Sequence, residues 1–404
     1  MSQKRKRILF VTGAITPLHS TNASLMCRVL TELQMRADCD LLSMGGYQKR
    51  DTTTPFKTIS CVKYSTISDE AWYCNGGSAL LVPSSARFLG HVAGRILDRK
   101  GYQDLHPAIC LRSLIELLCS RTAYDLVVAS NEPYPAAVAL AQSRIEARKA
   151  LYLIDPFAEF VPLLREHVTP FRHRTHIRIL EAMNIILTTP RVVQAMQDGR
   201  YSVFLNKIDA WEFPLFARLH YTPSGERITF DPEKINLLYC GWLRNETFLC
   251  RVLERLDNRF CVTFLGNDNA RLQGLKTAAE LRTLPAVPRA TAVNAILDAD
   301  VLLSTGNPYP VHLPSKTFDY LASGKPVIHF YSIPDCPALE YYRSYPLGLC
   351  IPMDAELELT TKQVLEFCLS IRGSKLPFED VEVLYPELQA THIMEALCER
   401  LLDL

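Results

Sequence analysis

Long apolar runs are missing from this chain: none approaches the roughly 20 residues that cross a bilayer, so no transmembrane anchor is expected. The basic opening Lys4-Arg5-Lys6-Arg7 leads straight into an apolar strand pattern and not into a signal-peptide core. A cytoplasmic protein is therefore expected. Charge of one sign is also lacking, since 44 basic residues face 43 acidic ones, and no overall field would recruit nucleic acid or an acidic partner. The 13 cysteines include no Cys-x-x-Cys pair and no neighbouring histidine ladder. That excludes a disulfide framework and a zinc module and leaves small, buried apolar side chains in a reducing compartment. No Asp-x-Asp element stands in a loop of the kind that holds a catalytic metal, and neither a metal nor a cofactor is expected. Gly13-Ala14-Ile15-Thr16-Pro17 lacks the later glycines that let a backbone approach a pyrophosphate, which argues against a dehydrogenase-type nucleotide loop.

What is present is alternation. Apolar runs of five to eight residues end in polar or Gly/Pro loops and are followed by helical periodicity, the pattern of parallel α/β layers. Strands are expected at 8–13, 39–45, 58–64, 124–130, 150–155 and 185–189, with helices at 22–35 and 134–147. Residues 206–234 carry Pro214, Pro223, Gly225 and Pro232 with little periodicity and read as a connection. The pattern then restarts, with strands at 237–241, 261–266, 301–304, 327–330 and 349–351 and helices at 246–256 and 292–299. At 404 residues two domains are the natural division. The expectation is an α/β protein of two Rossmann-like domains: residues 1–205, a connection over 206–234, a second domain over 235–387, and a terminal helix over 388–404 that packs on either one.

The most informative stretch is Leu313-Pro314-Ser315-Lys316-Thr317-Phe318-Asp319-Tyr320-Leu321-Ala322-Ser323-Gly324-Lys325-Pro326, after the strand and loop Val301 to Asn307. It reads as loop, two-turn helix and abrupt stop, with Ser315 as N-cap and Gly324 as the terminating glycine. Phe318, Leu321 and Ala322 share an inward face, which leaves Ser315, Lys316 and Asp319 at the rim. Free amides at the helix start suit a phosphate. A carboxylate one turn further in suits a ribose diol. The plain alternative is a helix that merely ends well, with Asp319 solvated.

Pro314-Ser315-Lys316 and Phe318 to Val327 resemble the nucleotide-sugar-binding helix of GT-B retaining glycosyltransferases of the family-four type. With Ile328-His329-Phe330-Tyr331 the stretch more closely resembles a bacterial subgroup associated with surface-polysaccharide synthesis. Leu238-Tyr239-Cys240-Gly241-Trp242-Leu243-Arg244-Asn245 resembles the loop that faces the diphosphate in that family. The resemblance implies two Rossmann-like lobes across a cleft and transfer of a sugar, with retention and without a metal, from a nucleoside diphosphate to an acceptor hydroxyl. The donor would be held by Gly241, Arg244, Asn307, Pro314, Ser315, Lys316, Thr317 and Asp319. Leaving-group charge would fall to Arg244, Lys316, the helix amides and Lys325. Two departures stand out: Asp319 replaces the more usual Glu, and Val311 stands eight positions earlier, where the family commonly has a second Glu.

In the first half, the loop 14–22 with Thr16 and His19 is expected to face the acceptor, a saccharide or a lipid-linked saccharide. Asn131 and Glu132 in Ser130-Asn131-Glu132-Pro133-Tyr134 join it. Asp155 in Ile154-Asp155-Pro156 is a catalytic candidate at a strand end, with a turn-forming Asp as the alternative. Arg87, His91, Arg95 and Arg99 repeat every four residues beside an apolar stripe. Such a stripe suits a solvated face or a peripheral contact with anionic lipid. The basic cluster 167–178 is read in the same way. Neither supports nucleic-acid binding. Two other functions remain open on this pattern: a sugar-nucleotide epimerase, and a non-catalytic member that binds a nucleotide or a partner transferase.

Overall fold

The computed structural model describes residues 5–13, 21–45, 56, 59–65, 70–74, 80–81, 105–161, 168–197, 199–223, 225–241, 243, 247–266, 272 and 274–404. The chain divides into two compact units, Met1–Phe213 with Thr391–Leu404, and Pro214–Ala390. The division falls within the proline-bearing segment 206–234, and the terminal helix Ala390–Asp403 belongs to the first unit apart from its first residue.

The first unit is built on a nine-stranded sheet. Its strands are β1 Arg7–Thr12, β2 Asp38–Gly45, β3 Ser60–Ser65, β4 Glu70–Cys74, β5 Leu80–Leu81, β6 Leu126–Ser130, β7 Arg148–Tyr152, β8 Ile185–Thr188 and β9 Ile208–Ala210, in spatial order β5-β4-β3-β2-β1-β6-β7-β8-β9. All pairings are parallel except β3 with β4 and β4 with β5. Strand β6 is buried along its whole length, as a parallel strand covered on both faces must be. Helices Leu105–Arg121, Tyr134–Gln142 and Pro170–Ala182 supply much of the cover through Leu111, Ile115, Val138, Leu140, Ile179 and Leu180.

The second unit holds a six-stranded parallel sheet of β10 Ile235–Cys240, β11 Phe260–Leu265, β12 Glu280–Leu284, β13 Val301–Thr305, β14 Val327–Tyr331 and β15 Gly348–Pro352. Its order is β12-β11-β10-β13-β14-β15. The chain first steps outward from β10 to β11 and β12, then crosses back to continue on the other side. The strand order reverses between β10 and β13, and at such a point the loops leaving two neighbouring strands diverge and open a crevice at their carboxyl ends. The first sheet has the same reversal between β1 and β6.

Some expectations need correction. Strands β4, β5, β9 and β12 had no clear apolar run: β12 is Glu-Leu-Arg-Thr-Leu, half-buried throughout, because an edge strand needs less apolar cover. The helix expected over 134–147 stops at Gln142, where Ser143 turns extended and its hydroxyl bonds the Leu140 carbonyl at 2.8 Å. The basic stripe 87–100 lies outside the described residues. In the basic cluster, Arg172, Arg174 and Arg178 are exposed, but His176 is buried and stacks on Phe157 at 4.1 Å. Among the described residues no helix is long and apolar enough to cross a membrane.

Candidate functional site

Three loops and a helix meet at the carboxyl edge of the second sheet. Strand β10 ends at Gly241, whose φ of 136° is one that only glycine adopts readily. A side chain on Gly266, at the end of β11, would place its Cβ 2.0 Å from the Gly241 carbonyl. The two loops therefore touch backbone to backbone. Strand β13 ends at Thr305, whose hydroxyl lies 3.0 Å from that of Tyr239. Beyond it the Asn307 amide donates to the His312 carbonyl at 3.0 Å and folds 307–312 into a closed turn. Val311 is buried in that turn.

The helix Lys316–Ser323 follows. Ser315 occupies its N-cap position, but it is already helical and makes no side-chain cap bond. The Thr317 amide instead meets the Pro314 carbonyl at 2.9 Å in a tight turn, so the expected serine cap is replaced by backbone. The stop at Gly324 is as expected, with φ of 71° and its amide bonded to Leu321. The helix is buried from Thr317 to Ser323. Tyr320, fully enclosed, accepts the Cys240 amide at 3.0 Å, which ties the helix to the strand end that carries Gly241. Burial pushes the Cys240 thiol up to about 12, with Lys316 lowering it and Asp319 raising it, so the end of β10 lies within the field of both.

Asp319 is not at the rim. Its side chain is 6% exposed, and it is engaged on both oxygens. Arg289, the first residue of the helix Arg289–Asp298 that follows β12, donates from Nη2 to Oδ1 at 2.8 Å and from Nη1 to Oδ2 at 3.1 Å. Lys316 Nζ donates to Oδ2 at 3.1 Å. Burial by itself would raise the Asp319 carboxyl, but the charge of Lys316 and the bidentate Arg289 hold it below the usual carboxylate range. Sequence reasoning missed Arg289, which lies 30 positions from its partner. Its one signal was a lone arginine at a helix start after Pro-Ala-Val-Pro.

The remaining expected donor residues are spread around this centre. Gly241, Asn307, Pro314, Ser315 and Lys316 are half-buried, whereas Thr317 is fully enclosed. Lys325 sits at the opposite, amino-terminal edge of the sheet, where Lys375, Asp300 and Asp298 act on it. It is too far round the sheet to serve with Lys316. Arg244 lies outside the described residues, as do Thr16 and His19.

In the first unit, the reversal point between β1 and β6 carries Ser130, Asn131 and Glu132. Asn131 is buried and turned inward: its Oδ1 accepts from the Ile154 and Asp155 amides at 2.8 and 3.3 Å, and its Nδ2 donates to the Asp155 carbonyl at 2.5 Å. It shapes the turn that presents Asp155. The Asp155 carboxylate is half-buried and accepts from Asn22 Nδ2 at 3.3 Å. Glu132 is exposed.

No family profile and no curated protein matches the sequence. Solved structures do match over nearly the whole chain. A trehalose-6-phosphate synthase superposes with a TM-score of 0.64 at 14% identity, covering 99% of each chain. A sucrose-phosphate synthase from Thermosynechococcus elongatus gives 0.63 at 9% identity, covering 98% of this chain and 97% of that one. The Anabaena protein HepE in complex with UDP-glucose gives 0.59 at 14% identity, covering 98% and 100%. The chain has the GT-B fold. In GT-B terms the second unit is a Rossmann-like sheet in the 3-2-1-4-5-6 order of dinucleotide-binding proteins. Its carboxyl edge, the edge at which sheets of this order generally bind ligands, carries Gly241, Asn307, Lys316 and Arg289.

Proposed function

We propose that this GT-B protein is a glycosyltransferase that binds a nucleoside-diphosphate sugar on its second unit and passes the sugar to an acceptor hydroxyl. One observation carries the reading: the strand-order reversal of the second sheet brings a backbone-bare glycine loop and a cationic pair, Arg289 and Lys316, to one edge. That combination suits a diphosphate, because a glycine without side-chain bulk lets phosphate approach the strand end closely and fixed cations stabilise its charge. A neighbour of the same fold has been solved with UDP-glucose, which supports a sugar nucleotide as the ligand.

Charge on the leaving diphosphate grows as the bond to the sugar breaks, so the groups that matter are those already positioned to meet it. We assign that role to Lys316 and, from its sequence position three residues after Gly241, to Arg244. Gly241, Asn307 and the Pro314-Ser315 turn line the phosphate end. Asp155, at the carboxyl edge of the first sheet, is the candidate on the acceptor side with Glu132. Retention, a polysaccharide or glycoconjugate product and a cytoplasmic setting follow from the sequence resemblance and the composition. A second reading, a nucleotide binder without transferase activity, is favoured by the buried Val311, which offers the donor sugar no carboxylate.

The test is a thermal-shift screen with UDP, GDP, TDP and ADP, followed by assay of diphosphate release from the matching sugar nucleotides. A ligand at about 100 times its Kd stabilises the native state by about 2.7 kcal/mol. In the unit that binds it, that is a rise of several degrees. No shift with any of the four would refute the donor site. A shift without turnover on any acceptor would support the second reading.

A further inference from the structure

Asp319, Arg289 and Lys316 form a cluster whose parts are unequally exposed. The carboxylate is 6% exposed, whereas Arg289 and Lys316 are 36% and 33% exposed. Two cations around one anion leave a net positive charge, and the positive groups stand in front. An approaching ligand meets the guanidinium and the ammonium before it meets the carboxylate.

The acceptor capacity of Asp319 points the same way. A carboxylate oxygen has two lone-pair directions. Oδ2 receives both Arg289 Nη1 and Lys316 Nζ, and Oδ1 receives Arg289 Nη2. A ribose diol reading this carboxylate on both oxygens would have to expel one of these charged donors from a buried acceptor. Arg289 has further N–H groups beyond the two given to Asp319, and Lys316 has two beyond its one.

We propose that Asp319 is a positioning residue in this chain and that Arg289 and Lys316, held by it, form a two-cation clamp for a phosphate or diphosphate. The planar guanidinium, fixed at two points on Asp319, is oriented before the ligand arrives, and this reduces the ordering that binding requires. The clamp rests on the donor reading for the identity of its ligand, a nucleoside diphosphate, but not for its chemistry.

The experiment uses the intact chain and calorimetry with five probes: inorganic pyrophosphate, UDP, GDP, and the 2′,3′-dideoxy form of each nucleotide. Pyrophosphate is expected to bind, and each dideoxy form is expected to bind within about threefold of its ribose parent, because no ribose hydroxyl reaches the carboxylate. Arg289→Gln should weaken pyrophosphate and nucleotide together by about tenfold or more, as a charged hydrogen-bond donor is lost. Arg289→Lys should recover part of that loss. An approximately tenfold loss on removing the diol would overturn the clamp and leave the donor reading standing, as would pyrophosphate affinity unchanged in Arg289→Gln. Pyrophosphate binding that depends on Arg289, with no nucleotide bound, would keep the clamp and remove the donor reading. Binding of none of the probes would end both. Should Arg289→Gln fail to fold, the comparison of ribose with dideoxy forms on the natural chain decides alone.

Discussion

Lowering the pH is expected to weaken the second unit through His329. The ring is fully enclosed on β14. Its Nδ1 lies 3.0 Å from the Ser304 hydroxyl and its Nε2 lies 3.4 Å from the Cys336 thiol. Tyr342 packs against it at 4.9 Å between ring centroids. Burial drives its pKa from 6.5 down to about 3, since a cation there would lose its water and gain no carboxylate in exchange. The unfolded chain therefore takes up this proton as the pH falls through about 6.5, and the folded chain does not do so until about pH 3. The contribution of the neutral ring is fully present above the unfolded value and shrinks as pH falls towards the folded one. Between about pH 7.5 and pH 5 the loss is about 2 kcal/mol.

Urea unfolding followed by circular dichroism at the two pH values should show this as a drop of about 1 M in the midpoint of the second unit's transition. The other nine histidines and the carboxylates contribute to the pH dependence as well, so His329→Gln serves as the reference. The variant should lack about 2 kcal/mol of the parent's acid sensitivity whatever its own stability. In parallel, the ring resonance absent from the variant should not titrate in the parent between about pH 8 and pH 5. Equal pH slopes in the two proteins, or a ring that titrates near 6.5, would refute the argument.

Two further outcomes follow from the geometry of the helix Lys316–Ser323. Gly324→Ala places a Cβ 2.0 Å from the Leu376 carbonyl on a backbone with φ of 71°. It should destabilise the second unit by at least about 1–3 kcal/mol in the same urea transition, and an unshifted midpoint would contradict the contact. Tyr320→Phe removes the acceptor of the buried Cys240 amide. It should lower stability by about 1–3 kcal/mol and speed hydrogen exchange at Cys240; unchanged exchange there would show that the tyrosine does not hold the strand end.

Much of the fold could be read in advance because parallel strands covered on both faces must be apolar along their length. Ile-Asn-Leu-Leu-Tyr-Cys of β10 and Leu-Val-Val-Ala-Ser of β6 are buried from end to end, and such runs stand out in any sequence. Edge strands carry no such mark. Glu280–Leu284 mixes polar and apolar residues on both faces and is half-buried throughout, so no apolar run marks it. The helix stop at Gly324 was legible because a left-handed terminating residue favours glycine whatever surrounds it. The serine start was not, since a backbone turn satisfies the same amide equally well.

By itself, then, the sequence determined the layered α/β class, the restart of the pattern in the second half and the short capped helix with its lysine and carboxylate. These depend on periodicity and on local backbone chemistry, which act between near neighbours. The company that Asp319 keeps was decided only by the tertiary structure. Arg289 and Asp319 meet because β12 and β13 run parallel in one sheet, so the helices that follow both begin at the same edge. That strand order arises from the packing of the whole unit, and no local pattern encodes it. It gives a carboxylate expected at the rim a buried place between two cations.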